Sequence, residues 1–290
     1  MHAIAPNRKT SLPRRHRWIG LFALLATTWG PLPAGAHELW VETDGKAEPG
    51  AAHGIRICWG HAGHKEAGQS LKRQESRIRA WLLRPGEQTQ RLDLATGPDS
   101  FTTTINPEAA GWYWIGAELQ VGILTKEFHG IPANTRMVMY GKSFTRLRGD
   151  AQGLTTPLGA PMEIVPLTDP EELGPGKVLA VKVLFKEKPL ADTQATATLT
   201  TLGKGAFPQD PRVQGAHWSC QGDVDPRTGE VAFPLIVAGQ HLVQVRYMDE
   251  TPGRYEGNAE VATQFSHLRK GDSFERTLYV CTLTLDVKAP

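Results

Sequence analysis

Residues Gly111–Leu119 read GWYWIGAEL, an apolar and aromatic run in which Trp112 and Trp114 share one face of an extended chain. Side chains two residues apart fall on one face of a strand, so the run reads as β rather than helical. In a β-sandwich such an aromatic run is core and sheet packing, with at least one face buried. Strand character recurs outward from it, in Gly54–Trp59 (GIRICW), Arg77–Leu83 (RIRAWLL), Ser100–Ile105 (SFTTTI), Lys177–Phe185 (KVLAVKVLF), Gln194–Thr201 (QATATLTT), Glu230–Val237 (EVAFPLIV), His241–Met248 (HLVQVRYM) and Ser273–Val287 (SFERTLYVCTLTLDV). Gly- and Pro-containing turns separate these runs, and helical periodicity is nearly absent. The pattern predicts an all-β protein of two β-sandwich (Ig-like) domains in tandem. The segment GDAQGLTTPLGAP, residues 149–161, lacks strand character and reads as a linker. It would divide an N-terminal domain, residues 37–148, from a C-terminal one, residues 162–290.

The first 36 residues read as a cleaved signal peptide. A basic stretch precedes the apolar run WIGLFALLATTW at 18–29, and Ala34-Gly35-Ala36 places small residues where signal peptidase cuts. The apolar run is too short to span a bilayer, and no later stretch could anchor the chain. The expected mature protein starts at His37, without a membrane span, in the periplasm or the medium. The 290 residues are 40% hydrophobic and 21% charged, which suits a packed core. All five bases of the leader (Arg8, Lys9, Arg14, Arg15, Arg17) leave with it, turning a net charge of +2 into −3. That balance excludes a nucleic-acid partner. Cys58, Cys220 and Cys281 allow at most one disulfide, with Cys220–Cys281 the candidate pair and three reduced thiols the other reading.

A chain that starts at His37 can chelate a metal. Its α-amine and its own imidazole Nδ1 close a six-membered ring, and both lose their protons readily near neutral pH. Nitrogen donors in a plane select Cu(II) or Ni(II). Shifting the cut by one or two residues leaves His37 second or third, which still chelates. A second cluster lies in Cys58-Trp59-Gly60-His61-Ala62-Gly63-His64, where His61 and His64 stand three apart in a Gly-containing loop after a strand. The metal-ligand candidates are therefore His37, His61 and His64. His53 and His129 are further candidates, Cys58 reads as a buried thiol, and Glu38 and Glu66 could orient an imidazole or simply be solvated. Catalytic motifs are absent: there is no G-x-S-x-G, phosphate loop or H-E-x-x-H.

The start AHELW (36–40), the loop CWGHAGH (58–64), the segment GWYWIGAE (111–118) and the stretch PLGAPMEIVPLTDPEELGPGKVLAVKVLFKEKPLADTQATATL (157–199) resemble the NikM-like family of exported proteins. So does DPRTGEVAFPLIVAGQHLVQV (225–245). The family includes the proposed periplasmic component of nickel and cobalt uptake transporters and is otherwise of unknown function. The resemblance implies a non-enzymatic protein that captures Ni(II) or Co(II) for a membrane permease. In the related permease the metal is held by the N-terminal amine, a backbone amide and imidazoles. Carried over, His37 matches the N-terminal ligand and His61 the G-H element, while His64 has no counterpart. Competing expectations are an exported copper carrier, a histidine-brace copper protein using His61 or His129, and an Ig-like interaction module without metal.

Overall fold

The computed structural model describes residues 37–43, 46–61, 64–147, 153–202 and 219–289; the expected signal peptide, residues 1–36, lies outside them. The protein is all-β, as its periodicity predicts. The run at 111–119 is part of a 14-residue strand, Gly111–Leu124, buried along nearly its whole length. Trp112 and Trp114 enter a core with Val138 and Tyr140. Tyr113, Ile115, Ala117 and Leu119 enter a second core with Met137 and Met139. A strand whose alternate side chains fill two cores is the middle layer of three.

That layer is a ten-stranded sheet. Its long strands run side by side as Thr196–Thr201, Gly239–Asp249, Arg276–Val287, Thr135–Leu147 and Gly111–Leu124, and Ile78–Leu83 pairs with the last of these. Over one face lies a four-stranded sheet containing Met162–Pro166, Val178–Phe185 and Glu230–Pro234, which gives Ile164, Val181 and Phe233 to the first core. Over the other lies a five-stranded sheet containing Glu38–Thr43, His53–His61 and Phe101–Ile105, which gives Val41, Ile57 and Phe101 to the second.

The strands do not sort by the boundary expected at 149–161. Residues 37–148 and 162–290 share the central sheet, and a parallel ladder from Arg276↔Thr135 to Leu283↔Lys142 joins them. Residues 37–289 fall within one compact unit. The described part of the expected linker is a strap laid on the sheet, where Trp114 Nε1 donates to the Gly153 carbonyl at 2.7 Å. Residues 149–152 lie outside the described residues.

The strand Glu38–Thr43 approaches the central sheet backbone-on. A Cβ added at Gly141 would stand 3.1 Å from both the Leu39 carbonyl oxygen and the Trp40 Cα. The Thr282 hydroxyl donates to that same carbonyl at 2.5 Å. Both faces of the strand are thereby covered: Leu39 and Val41 join the second core, and Trp40 packs with Cys58 and Leu242.

All three cysteines are free, so the Cys220–Cys281 pair is not formed. The reason is topological. Cys220 lies on Ser219–Asp223, and two strands intervene before Cys281 on Arg276–Val287. At about 4.8 Å per strand the two backbones stand ~14 Å apart, twice the ~7 Å that a disulfide spans. Among the described residues no helix is long and apolar enough to cross a membrane.

Candidate metal centre

The histidines gather at one end of the five-stranded sheet. Glu38 pairs with Gly60 in the ladder, so His37 comes beside His61, their ring centroids 4.6 Å apart. Past His61 the chain turns and pairs again, His61 with His64 and Gly60 with Lys65. Directly paired antiparallel residues point to the same face. His37, His61 and His64 thus form one row across three adjacent strands.

The next row on that face holds Trp59 and Glu66. The Glu66 amide donates to the Trp59 carbonyl at 2.8 Å, continuing the hairpin. The His37 ring stacks on Trp59 at 4.3 Å and 15°. His37 Nε2 lies 3.1 Å from Glu66 Oε1. A carboxylate accepts there, so Nε2 is the donor, and in the neutral ring Nδ1 then holds the lone pair. Nδ1 is the nitrogen that can close a ring with the amine of the same residue.

The opposite face anchors the hairpin. Glu42 accepts from Lys65 Nζ at 2.8 Å, Trp40 Nε1 at 2.9 Å and Arg56 Nε at 3.2 Å. Burial pushes the Glu42 carboxyl up, but the hydrogen bonds from Lys65, Trp40 and Arg56 outweigh it and leave the group below its ordinary value. Glu66 is also held below its ordinary value, first by a hydrogen bond from the Ser70 side chain and then by His37. His61 is shifted down by burial and by the neighbouring His37, with Glu66 opposing. It therefore offers a free lone pair at lower pH than an exposed imidazole does.

Gly60 sits in the strand just before the turn, paired with Glu38 on one side and Lys65 on the other. Its φ is +153°, and a Cβ there would stand 2.2 Å from the His64 carbonyl oxygen. Gly60→Ala is expected to force the 61–66 hairpin apart, free Glu66 from His37 and cost about 1–3 kcal/mol of stability. Thermal unfolding with near-ultraviolet dichroism of Trp59 checks this; an unchanged melt and spectrum would show that the position tolerates a side chain.

The other candidates separate. His53 begins the same strand as His61, eight residues away and thus roughly 26 Å along the chain. His129 is exposed at a bend with φ +49°, its ring edge-on to Phe128, and close enough to His61 to act on its charge. Cys58 faces away among Trp40 and Leu242, and burial, then Glu42, pushes its thiol up to about 12, so it is no thiolate ligand. Ala62 and Gly63 of the expected loop lie outside the described residues. Glu66 was one of two carboxylates expected to orient an imidazole, and the structure sets it on His37; Trp59 as a stacking surface was not legible. The signal was the hairpin register itself, which sets residue 66 opposite residue 59 once 61 pairs with 64.

Among the described residues no three His, Cys, Asp or Glu side chains stand close enough to hold a metal together. The donors that do approach are two imidazoles and a carboxylate. Beside them the Trp59 indole N–H is buried and makes no hydrogen bond among the described residues, so a polar ligand at this edge would find a donor.

Fold and site together define an all-β protein of three stacked sheets with a histidine-bearing sheet edge. The family described as Domain of unknown function (DUF4198) matches residues 34–249, and the chain belongs to that family. No curated protein matches the chain.

Proposed function

We propose that the protein is an exported, non-enzymatic carrier that captures Ni(II) or Co(II) at the His37 edge and hands it to a membrane uptake permease. The observation that carries the reading is that His37 stands beside both His61 and Glu66 at the ends of adjacent strands, with Glu66 on the nitrogen of His37 that a chelate does not need. After cleavage behind Ala36, the amine and Nδ1 of His37 would bind the ion. His61 would supply a further imidazole, and His64 would stand beside it on the exposed rim. Glu66 would fix the ring orientation from outside the coordination sphere. The resemblance to the NikM-like family points the same way on cargo and partner.

A copper carrier uses the same donors and is the competing reading, because Cu(II) binds nitrogen sites more tightly than Ni(II) or Co(II). Native mass spectrometry of the processed protein with equimolar Ni(II), Co(II) and Cu(II) distinguishes them. A Ni(II) or Co(II) adduct that survives copper supports uptake, whereas a copper-only adduct favours the copper carrier. His37→Ala is expected to abolish tight binding, and Glu66→Gln to weaken it about 10–100-fold. Undiminished affinity in His37→Ala would count against every metal reading and leave an interaction module.

A further inference from the structure

A cavity of about 350 Å³ lies between the 153–161 strap and the central sheet, on the face opposite the histidine-bearing sheet. Its walls are apolar, with Trp81, Tyr140, Leu158 and Met162 among them. Leu158 reaches down over Gly116, where an added Cβ would come within 2.7 Å of its side chain. The volume is at the small end of the range for ligand pockets.

Its polar groups are unevenly used. Glu163 accepts from the amides of Leu158, Gly159 and Ala160 at 2.8, 2.6 and 2.8 Å and from Lys142 Nζ at 3.0 Å. Glu118 is engaged by Gln120 Nε2 at 2.8 Å and by the Tyr140 hydroxyl. The acceptors are committed; the donors are not. Lys142 is 3% exposed and lines the cavity, with its ammonium 4.4 Å from the Trp114 ring centre. Of its three N–H groups one meets Glu163, and no other acceptor is placed on it among the described residues. A buried ammonium with spare donors beside an apolar cavity selects an oxygen acceptor on an apolar body. The Lys142–Glu163 pair cancels, Glu118 repels an anion, and the apolar walls disfavour a ligand carrying any net charge.

We propose that this cavity is a binding site for a small, neutral molecule bearing a carbonyl oxygen, which accepts a hydrogen bond from Lys142 while its apolar body lies between Leu158 and Trp81. The site is separate from the His37 edge and does not depend on the metal reading.

The test is a fluorescence titration of the full purified protein with Prodan, a neutral naphthyl ketone whose emission shifts to the blue in apolar surroundings. Saturable one-to-one binding with a blue shift is expected. Ala160→Phe, which fills the cavity from the strap, should abolish it with the thermal melt preserved. Should that variant not fold, Thr89→Trp at the exposed rim blocks the same space. The pair Lys142→Met with Glu163→Gln should bind about tenfold more weakly, the size of one lost hydrogen bond. Absence of saturable binding, or equal binding by a folded cavity-filling variant, would overturn the proposal.

Discussion

A chain cut after Asp249, where the family match ends, is expected not to fold. The strand lost with the tail, Arg276–Val287, is the centre of the molecule rather than an appendage. It pairs with Gly239–Asp249 from Gly239↔Val287 to Asp249↔Thr277 and, on its other edge, with Thr135–Leu147. Tyr279, Cys281, Leu283, Leu285 and Val287 fill one core, and Leu278 and Val280 the other. At about 1.5–3 kcal/mol for each fully buried side chain, these contribute on the order of 10–20 kcal/mol, which exceeds the ~5–15 kcal/mol net stability of an ordinary protein. The cut also bares two long strand edges, which invites aggregation. Soluble yield and near-ultraviolet dichroism of the 1–249 product check this. Cooperative unfolding of that product would show that the two cores stand without their shared strand.

Glu163→Ala is expected to destabilise the intact chain by about 3–5 kcal/mol, because it leaves a buried ammonium without its counter-ion. The Lys142 and Glu163 side chains are each 4% exposed and 3.0 Å apart, and the substitution also orphans the three strap amides that Glu163 holds. Lys142→Met combined with Glu163→Gln should cost less than Glu163→Ala alone, since no charge stays buried and a carbonyl remains for the strap. Burial holds Lys142 below its ordinary value of 10.5, against the pull of Glu163. Between the folded value and 10.5 the unfolded chain binds more protons than the folded one, so the contribution of this group to stability rises with pH across that window. Lys142→Met should remove that rise. Urea unfolding at several pH values from neutrality up to 10.5 reads both effects. A Glu163→Ala midpoint equal to that of the unsubstituted protein would show that water or another acceptor replaces the carboxylate.

The strand at 111–124 shows how far local pattern reaches. Period-two alternation identified it as β, and the tryptophans on one face announced a buried side. That the other face is buried as well is a finding of the structure, which sends Tyr113, Ile115 and Ala117 into the second core. What covers each face was not legible locally either, because the covering strands come from residues 37–105 on one side and 162–234 on the other. The linker expected at 149–161 failed as a spacer for a similar reason. Its lack of strand pattern is real, yet Glu163 and Trp114 tie its backbone down through contacts that composition does not express.

The site divides along the same line. His37, His61 and His64 were singled out by an expected cleavage site and a Gly-containing loop. Glu66 was legible only as one of two carboxylates that could orient an imidazole, and Trp59 not as a stacking surface, since neither has a fixed direction until a hairpin register gives it one. The sequence by itself determined the all-β class and the strand positions, because alternation is a property of neighbouring residues along one chain. It also determined the candidate ligands, as residue types. Only the tertiary structure decided that two apparent halves share a sheet, that Cys220 and Cys281 stay apart and that His37 rests on Trp59 against Glu66. Those outcomes depend on which strand edges pair, and edges separated by more than a hundred residues are chosen by the burial of both faces at once, a quantity that no local stretch carries.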